Sequence, residues 1–464
     1  MSASLWWSTL DEPVVERAPL RGDLDVDVAI VGGGYTGLWS ARELLRRDPT
    51  LRVAVLEREV CGFGASGRNG GWASALYPLS DEVVRRAYGE DEATHLRRTL
   101  NDAVPHLGRA LREDGVDAHF HQGGTFVGAR SATQAERLRA SVDAAHASGV
   151  HVDDLCWLNA DEARERVAMS ALFGATYTPH CARVHPARLV RGLAAATERS
   201  GATIFEKTPV TRLLAATATR RAAVVTPYGT VRADFVVRAT EGYTPTLAHE
   251  RRTVVPLFSL MVATEPLPAD FFAQAGLANY ETFADDRHLI IYGQRTADNR
   301  LAFGGRGAPY HFASAIESRF DENPRVFNLL EETLHELFPF FSGAVTHRWG
   351  GALAMPRDHS PFVRVDYANG LCAAGGYTGD GVVMSHVAAR TLADLITAPD
   401  EATDLTRLPF VHHATKRWEF EPLRWAGINA GLALAGWADR VEAKHDRASR
   451  AGGLLERLFD SFPP

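Results

Sequence analysis

The segment from Asp25 to Arg47, DVDVAIVGGGYTGLWSARELLRR, constrains this chain more than any other. Its VDVAIV run is apolar and β-rich, the pattern of a strand buried on both faces of a parallel sheet. Leu38, Ala41, Leu44 and Leu45 then recur at helical spacing, and Arg46 and Arg47 stand where a helix C-terminus favours cations. A second apolar run, Arg52–Leu56, ends on Glu57. Strand, helix and strand in this order make a βαβ unit, and a right-handed crossover makes it the opening of a doubly wound sheet.

The turn inside that unit reads Gly32-x-Gly34-x-x-Gly37, with Glu57 twenty residues beyond. Gly32 permits the tight turn, Gly34 lets a pyrophosphate approach the backbone, and Gly37 lets helix and strand pack closely. The helix N-terminus offers free N–H groups to phosphate, and Glu57 can accept hydrogen bonds from a ribose diol. Together these features predict dinucleotide binding. The turn alone leaves flavin and nicotinamide dinucleotides both open.

Bulk properties narrow the classes. Net charge is −7 over 464 residues, against a nucleic-acid or anionic-membrane role driven by electrostatics. Only three of the 50 basic residues are lysines (Lys207, Lys416, Lys444), so a single arginine says little and a missing lysine says more. Four cysteines without CxxC spacing argue against a disulfide scaffold or zinc ribbon, and no spacing suggests a metal site. The first residues lack a signal-peptide pattern and no apolar run is long enough to span a bilayer, so a cytoplasmic protein is expected.

Further along, 80–115 and 133–148 read as helices, with a strand in Gly123–Arg130. Three strand signals follow the Leu189–Arg199 helix, a β-rich block runs from Val254 to about Gly305, and LCAA (Leu371–Ala374) precedes GGYTGDGV and another apolar helix. The last sixty residues read as largely helical. Pieces of a nucleotide domain thus appear early, in the middle and late, which predicts two discontinuous domains.

The motif set DVAIVGGGYTGL, CGFGASGRNGGW (Cys61–Trp72) and AAGGYTGDGV (Ala373–Val382) resembles the D-amino-acid oxidase superfamily of FAD enzymes, in its γ-glutamylputrescine oxidase and glycine/sarcosine oxidase branch. HPARLVRGLA, VVRATEGYTP, VVPLFSLMVATEPL, LAFGGR and EPLRW add to the resemblance, which covers about 25 to 425. It implies an α/β fold: a Rossmann-like, glutathione-reductase-type FAD-binding domain (25–110, 180–253 and 345–400), a β-rich substrate-binding domain (111–179 and 254–344) and a helical C-terminal extension (401–464). It also implies FAD contacts at Gly32, Gly34, Tyr35, Thr36, Gly37, Glu57 and Arg58, and along Ala65, Ser66, Arg68, Asn69, Gly70 and Gly71. Val210 would meet the adenine through its backbone, Thr240 would lie at the cofactor, and Gly376, Tyr377, Thr378, Gly379, Asp380, Gly381 and Val382 would cap the flavin. A helix N-terminus there suits the negative charge of a reduced flavin.

Two departures from the family pattern carry expectations. Asp380 stands where many sarcosine-oxidase relatives have His, and it is expected to cap the helix beginning at Val382 or to attract a cationic amine. Gly350–Phe362 has no cysteine for a covalent flavin link, so FAD is expected to be non-covalent, with Cys372 a buried structural thiol.

The implied reaction is oxidation of an amine or amino-acid C–N bond, with hydride passing to flavin N5 and the imine hydrolysing afterwards. O2 is the expected acceptor, giving H2O2, although no lysine matches the position that activates O2 in sarcosine-oxidase relatives. A pocket for amines should be aromatic, and Trp72, Tyr243, Tyr292, Tyr310 and Trp349 are its candidates, at least two of them expected to line it. Arg306 and Arg348 are candidate carboxylate clamps, and His185, His347 and His359 candidate acid/base groups. A dehydrogenase with another acceptor, or a non-catalytic flavin-binding subunit docking through Trp425–Trp437, remains open, as does a homodimer.

Overall fold

The computed structural model describes residues 4–307 and 309–454. A six-stranded sheet runs in the order Phe362–Asp366, Leu371–Gly375, Phe235–Arg238, Val28–Val31, Val53–Leu56 and Thr203–Phe205. Its strands are parallel apart from the first. Val28–Val31 and Val53–Leu56 are buried along their whole length, which is why they read as unbroken apolar runs. The helix Tyr35–Arg47 crosses between them, and Gly381–Thr397 and Pro186–Arg199 pack against that helix. Leu38, Trp39 and Ala41 meet Val383, Val387 and Leu392 in one core, where a fully buried Val or Leu contributes ~1.5–3 kcal/mol.

A second sheet of eight strands runs Val345–Pro356, Val254–Thr264, Leu301–Gly305, Ile291–Arg295, Thr282–Asp285, Thr125–Ala129, Gly174–Thr178 and Cys156–Leu158. The helix Pro324–Leu337 closes a separate core with Phe283, Phe303 and Phe338. Between the sheets, Trp72–Ser74 pairs antiparallel with Cys181–Arg183, so this short ladder bridges the two halves. A four-stranded sheet built from Leu24–Asp25, Gly229–Ala233, Ala222–Thr226 and Arg212–Leu214 flanks the nucleotide half.

Two segment expectations change. Val345–Pro356 pairs with Val254–Thr264 over nearly its full length, so it belongs to the eight-stranded sheet although 345–400 was expected in the nucleotide domain. The extension is not helical throughout: 401–422 runs in turns and irregular chain, rich in Pro, Thr and His, and the helix is Leu423–His445. Residues 455–464 of the expected extension lie outside the described residues. No described helix is long and apolar enough to cross a membrane.

Candidate active site

The glycine turn has the geometry that its spacing requires. Gly32 adopts φ +113°, and a Cβ there would lie 2.4 Å from the Ala239 carbonyl oxygen. A Cβ on Gly37 would lie 2.0 Å from the Gly32 carbonyl oxygen, so the helix comes this close to the turn only because residue 37 is glycine. Gly34 is the N-cap of the Tyr35–Arg47 helix and brings no side chain to its first turn. Glu57 ends its strand as predicted, with Oε2 accepting from the Gly33 amide at 2.8 Å and Oε1 from the Glu59 amide at 2.8 Å. Burial pushes its carboxyl up, and these amides and Arg58 pull it back. Val210 follows Thr208, whose amide donates to the Glu57 carbonyl, so it runs alongside this end of the turn.

The loop from Ala65 to Gly71 lies against the turn: Ser66 Oγ accepts from the Tyr35 amide at 2.9 Å. Arg68 reaches away from the turn, pairing with Asp321 at 2.6 Å and lying over the Phe63 ring. Beyond the loop, Trp72 and Tyr292 meet edge to face at 6.2 Å, and the Trp72 indole donates to the Gly293 carbonyl. The Tyr292 ring is wedged between Gly70 and Gly304, where added Cβ atoms would come within 2.7 Å and 2.6 Å of it. Its hydroxyl shares a 2.6 Å hydrogen bond with Ser259, and burial pushes it up to about 12.

Gly376–Val382 connects Leu371–Gly375 to the Gly381–Thr397 helix. The Tyr377 hydroxyl meets Thr36 Oγ1 at 3.1 Å, which ties this loop to the phosphate-turn helix. Thr240, at the end of the central strand's extension, shares a hydrogen bond with Thr244 at 2.9 Å. Sequence reasoning missed Glu241, whose Oε1 accepts from both the Gly376 and Tyr377 amides. Burial pushes its carboxyl up to about 7, against the pull of those amides and Arg238. A lone acid within ATEGYT gives no local signal of these partners, which lie 135 residues away.

Asp380 occupies the N-cap position of a helix that begins at Gly381, yet its side chain makes no capping bond, contrary to the expected capping role. It is half-buried, burial raises it to about 7, and among the described residues no cation pairs with it. Its charge is felt at Cys181, which sits opposite Ser74 in the ladder that begins at Trp72.

The remaining candidates lie elsewhere. Tyr243 stacks under Arg58 at 5.0 Å beside Gly64, on the nucleotide side of the loop. Tyr310 donates to Glu421 at 2.6 Å, joining the large sheet to the C-terminal segment. Trp349 is fully buried and donates to the Arg68 carbonyl at 2.8 Å. Arg306 lies among Arg287, Asp439, Glu336 and Asp285, and Arg348 pairs with Glu331. His185 caps the Pro186–Arg199 helix by accepting from the Arg188 amide, His347 bonds Ser8, and His359 is buried beside Asp358. Cys372 is a buried thiol pushed up to about 12 by burial. Among the described residues no cluster of His, Cys, Asp or Glu could hold a metal ion. An open groove of about 630 Å³ lies at the N-terminal strand ends, lined by Asp27, Asp48, Asp234 and Asp394. Dinucleotides bind such sheets beyond the C-terminal strand ends, so the groove is not their site.

A doubly wound sheet with a glycine cradle and an acid at its second strand, joined to a large β-sheet, defines a dinucleotide-dependent oxidoreductase. A family model described as FAD dependent oxidoreductase (DAO) matches residues 27–395, and the chain belongs to that family. The gamma-glutamylputrescine oxidoreductase of Escherichia coli is 31% identical over 412 residues, covering 86% of this chain and 91% of that protein. The glycine oxidase of Geobacillus kaustophilus is 26% identical over 401 residues, covering 84% and 98%. A crystal structure of glycine oxidase from that organism superposes with TM-score 0.71 at 24% identity, over 84% of this chain and all of that one. FAD is therefore the cofactor. The glycine turn at Gly32 and Gly34, a helix N-terminus whose own N-cap residue has no side chain, and the remaining lone pairs of Glu57 fit its pyrophosphate and ribose.

Proposed function

We propose that this chain oxidises the C–N bond of a small amine or amino acid, with O2 as acceptor, and that FAD is held non-covalently. Bound FAD supplies a two-electron acceptor. The observation that carries the reading is the Trp72–Tyr292 corner, packed directly on the loop that would follow the cofactor. Aromatic rings beside that loop would exclude water and favour a cationic amine. Asp380, half-buried and without a cationic partner among the described residues, would add negative potential for the same charge once ionised, above about pH 7. The relatives, an oxidoreductase of gamma-glutamylputrescine and glycine oxidases, support an amine or amino acid as substrate.

Gly32, Gly34, Tyr35, Thr36, Gly37, Glu57 and Val210 would hold the nucleotide end. Ala65–Gly71 and Gly376–Val382 would hold the flavin end, and Trp72 and Tyr292 would position the amine. A dehydrogenase with another acceptor is the second reading, favoured because no lysine matches the position that activates O2 in sarcosine-oxidase relatives; Lys207 is paired with Glu16 and Glu59. Re-admitting air to amine-reduced protein separates the two. Rapid reoxidation with peroxide is expected, and slow reoxidation without peroxide would assign the second reading.

A further inference from the structure

The chain ahead of residue 27 lies outside the family match, yet part of it is among the most buried of the molecule. Leu5 and Trp6 are each 1% exposed. The short helix Leu5–Ser8 lies on the outer side of the Ala65–Gly71 loop, where Ser4 Oγ donates to the Gly67 carbonyl at 3.2 Å. The Trp6 indole N–H donates to the Asn69 carbonyl at 2.8 Å. Its ring meets Trp349 at 6.2 Å and His185 at 5.1 Å, both edge to face.

Three successive loop carbonyls are held in the same manner. Arg68 accepts from Trp349 at 2.8 Å, Asn69 from Trp6 at 2.8 Å and Gly70 from Gln294 at 2.6 Å. Each donor comes from a different part of the chain, and each fixes one peptide plane. A single side-chain donor per buried carbonyl is the usual requirement for satisfying it. Three in a row specify the orientation of a loop that has no ladder of its own. The same segment is anchored further on by Thr9 to His185 Nε2 at 3.0 Å and by Ser8 to His347 at 2.9 Å.

We infer that Trp6 is a positioning residue for the cofactor loop, its indole N–H setting the Asn69 peptide so that the loop is preformed to receive FAD. The inference rests on FAD occupying the site. Trp6→Phe keeps an aromatic ring at this place, removes the indole donor together with its pyrrole ring, and leaves the part-buried Asn69 carbonyl without that donor.

The test is FAD titration of the full-length apoprotein, followed by flavin fluorescence, with the visible circular dichroism of the bound flavin recorded at saturation. Trp6→Phe is expected to bind FAD roughly tenfold more weakly, the loss of one buried hydrogen bond. Its bound-flavin spectrum should be altered. Asp11→Ala, which removes the Arg188 pair further along the same segment, should bind as wild type does. A Trp6→Phe protein with unchanged affinity and spectrum would overturn the inference and leave Trp6 a packing residue. Wild-type protein that took up no FAD would instead overturn the cofactor assignment itself.

Discussion

Gly34 stands at the start of the Tyr35–Arg47 helix, where a Cβ would come within 2.9 Å of Ser66 Oγ. Any larger side chain must displace Ser66 or fill the space that the pyrophosphate needs. Gly34→Leu is expected to purify folded, by far-ultraviolet circular dichroism, but without flavin absorbance. A fully yellow variant would contradict the phosphate-turn assignment. Glu241 makes a pH-dependent prediction at the same scale. Its folded carboxyl is raised from 4.5 to about 7, chiefly by burial. Between those values the unfolded chain has released a proton that the folded chain still holds. Stability from this group is therefore complete below about pH 4.5 and is lost as pH rises through about 7. Glu241→Gln keeps the acceptor for both amides and cannot ionise. Denaturant titrations should find the variant equal to wild type at pH 4.5 and more stable by on the order of 1 kcal/mol at pH 8. An unchanging difference across this range would contradict the buried-acid account.

At the scale of elements, the contact between Gly381–Thr397 and Tyr35–Arg47 links the Gly376–Val382 loop to the helix that follows the glycine turn. His386 lies inside it, fully buried, 4.5 Å from Trp39 and 5.1 Å from His106, with neither ring nitrogen hydrogen-bonded. Burial holds it well below 6.5, while Glu43 raises it and Arg390, His106 and Arg42 lower it further. The unfolded chain takes up a proton below about pH 6.5 that the folded chain refuses, so stability falls as the solution is acidified. His386→Leu should flatten that acid limb and leave stability at pH 8 equal or higher, read as melting temperature against pH. An unchanged acid limb would contradict a neutral buried imidazole. These helices were legible in the sequence because their apolar spacing is local. The Val345–Pro356 strand falls in the other half from the one its sequence suggests, because its partner, Val254–Thr264, is about ninety residues away and no local period records that pairing. The same reason hid Glu241 and Trp6: their partners are 135 and 63 residues distant.

For the whole molecule, the nucleotide half and the large sheet meet at the Trp72–Ser74 ladder, with the glycine turn on one side and Tyr292 on the other. The turn, Glu57 and the family could be read from motifs, since phosphate binding is written in consecutive residues. The proposed substrate wall could be named only as a set of aromatics, because which rings meet depends on how two sheets dock. Trp72 and Tyr292 meet, whereas Tyr310 and Trp349 are held by Glu421 and by the Arg68 carbonyl.

The most direct measurement is anaerobic mixing of the FAD-loaded protein with polyamines, γ-glutamyl amines, N-methyl glycines, glycine, D-amino acids and aminophosphonates while flavin absorbance is followed. Bleaching by at least one amine or amino acid is predicted, since the proposed oxidation would pass hydride from the carbon beside nitrogen to the flavin. Flavin that stays oxidised with every member of the panel, yet bleaches with a chemical reductant, would contradict amine oxidation and leave the fold and the cofactor.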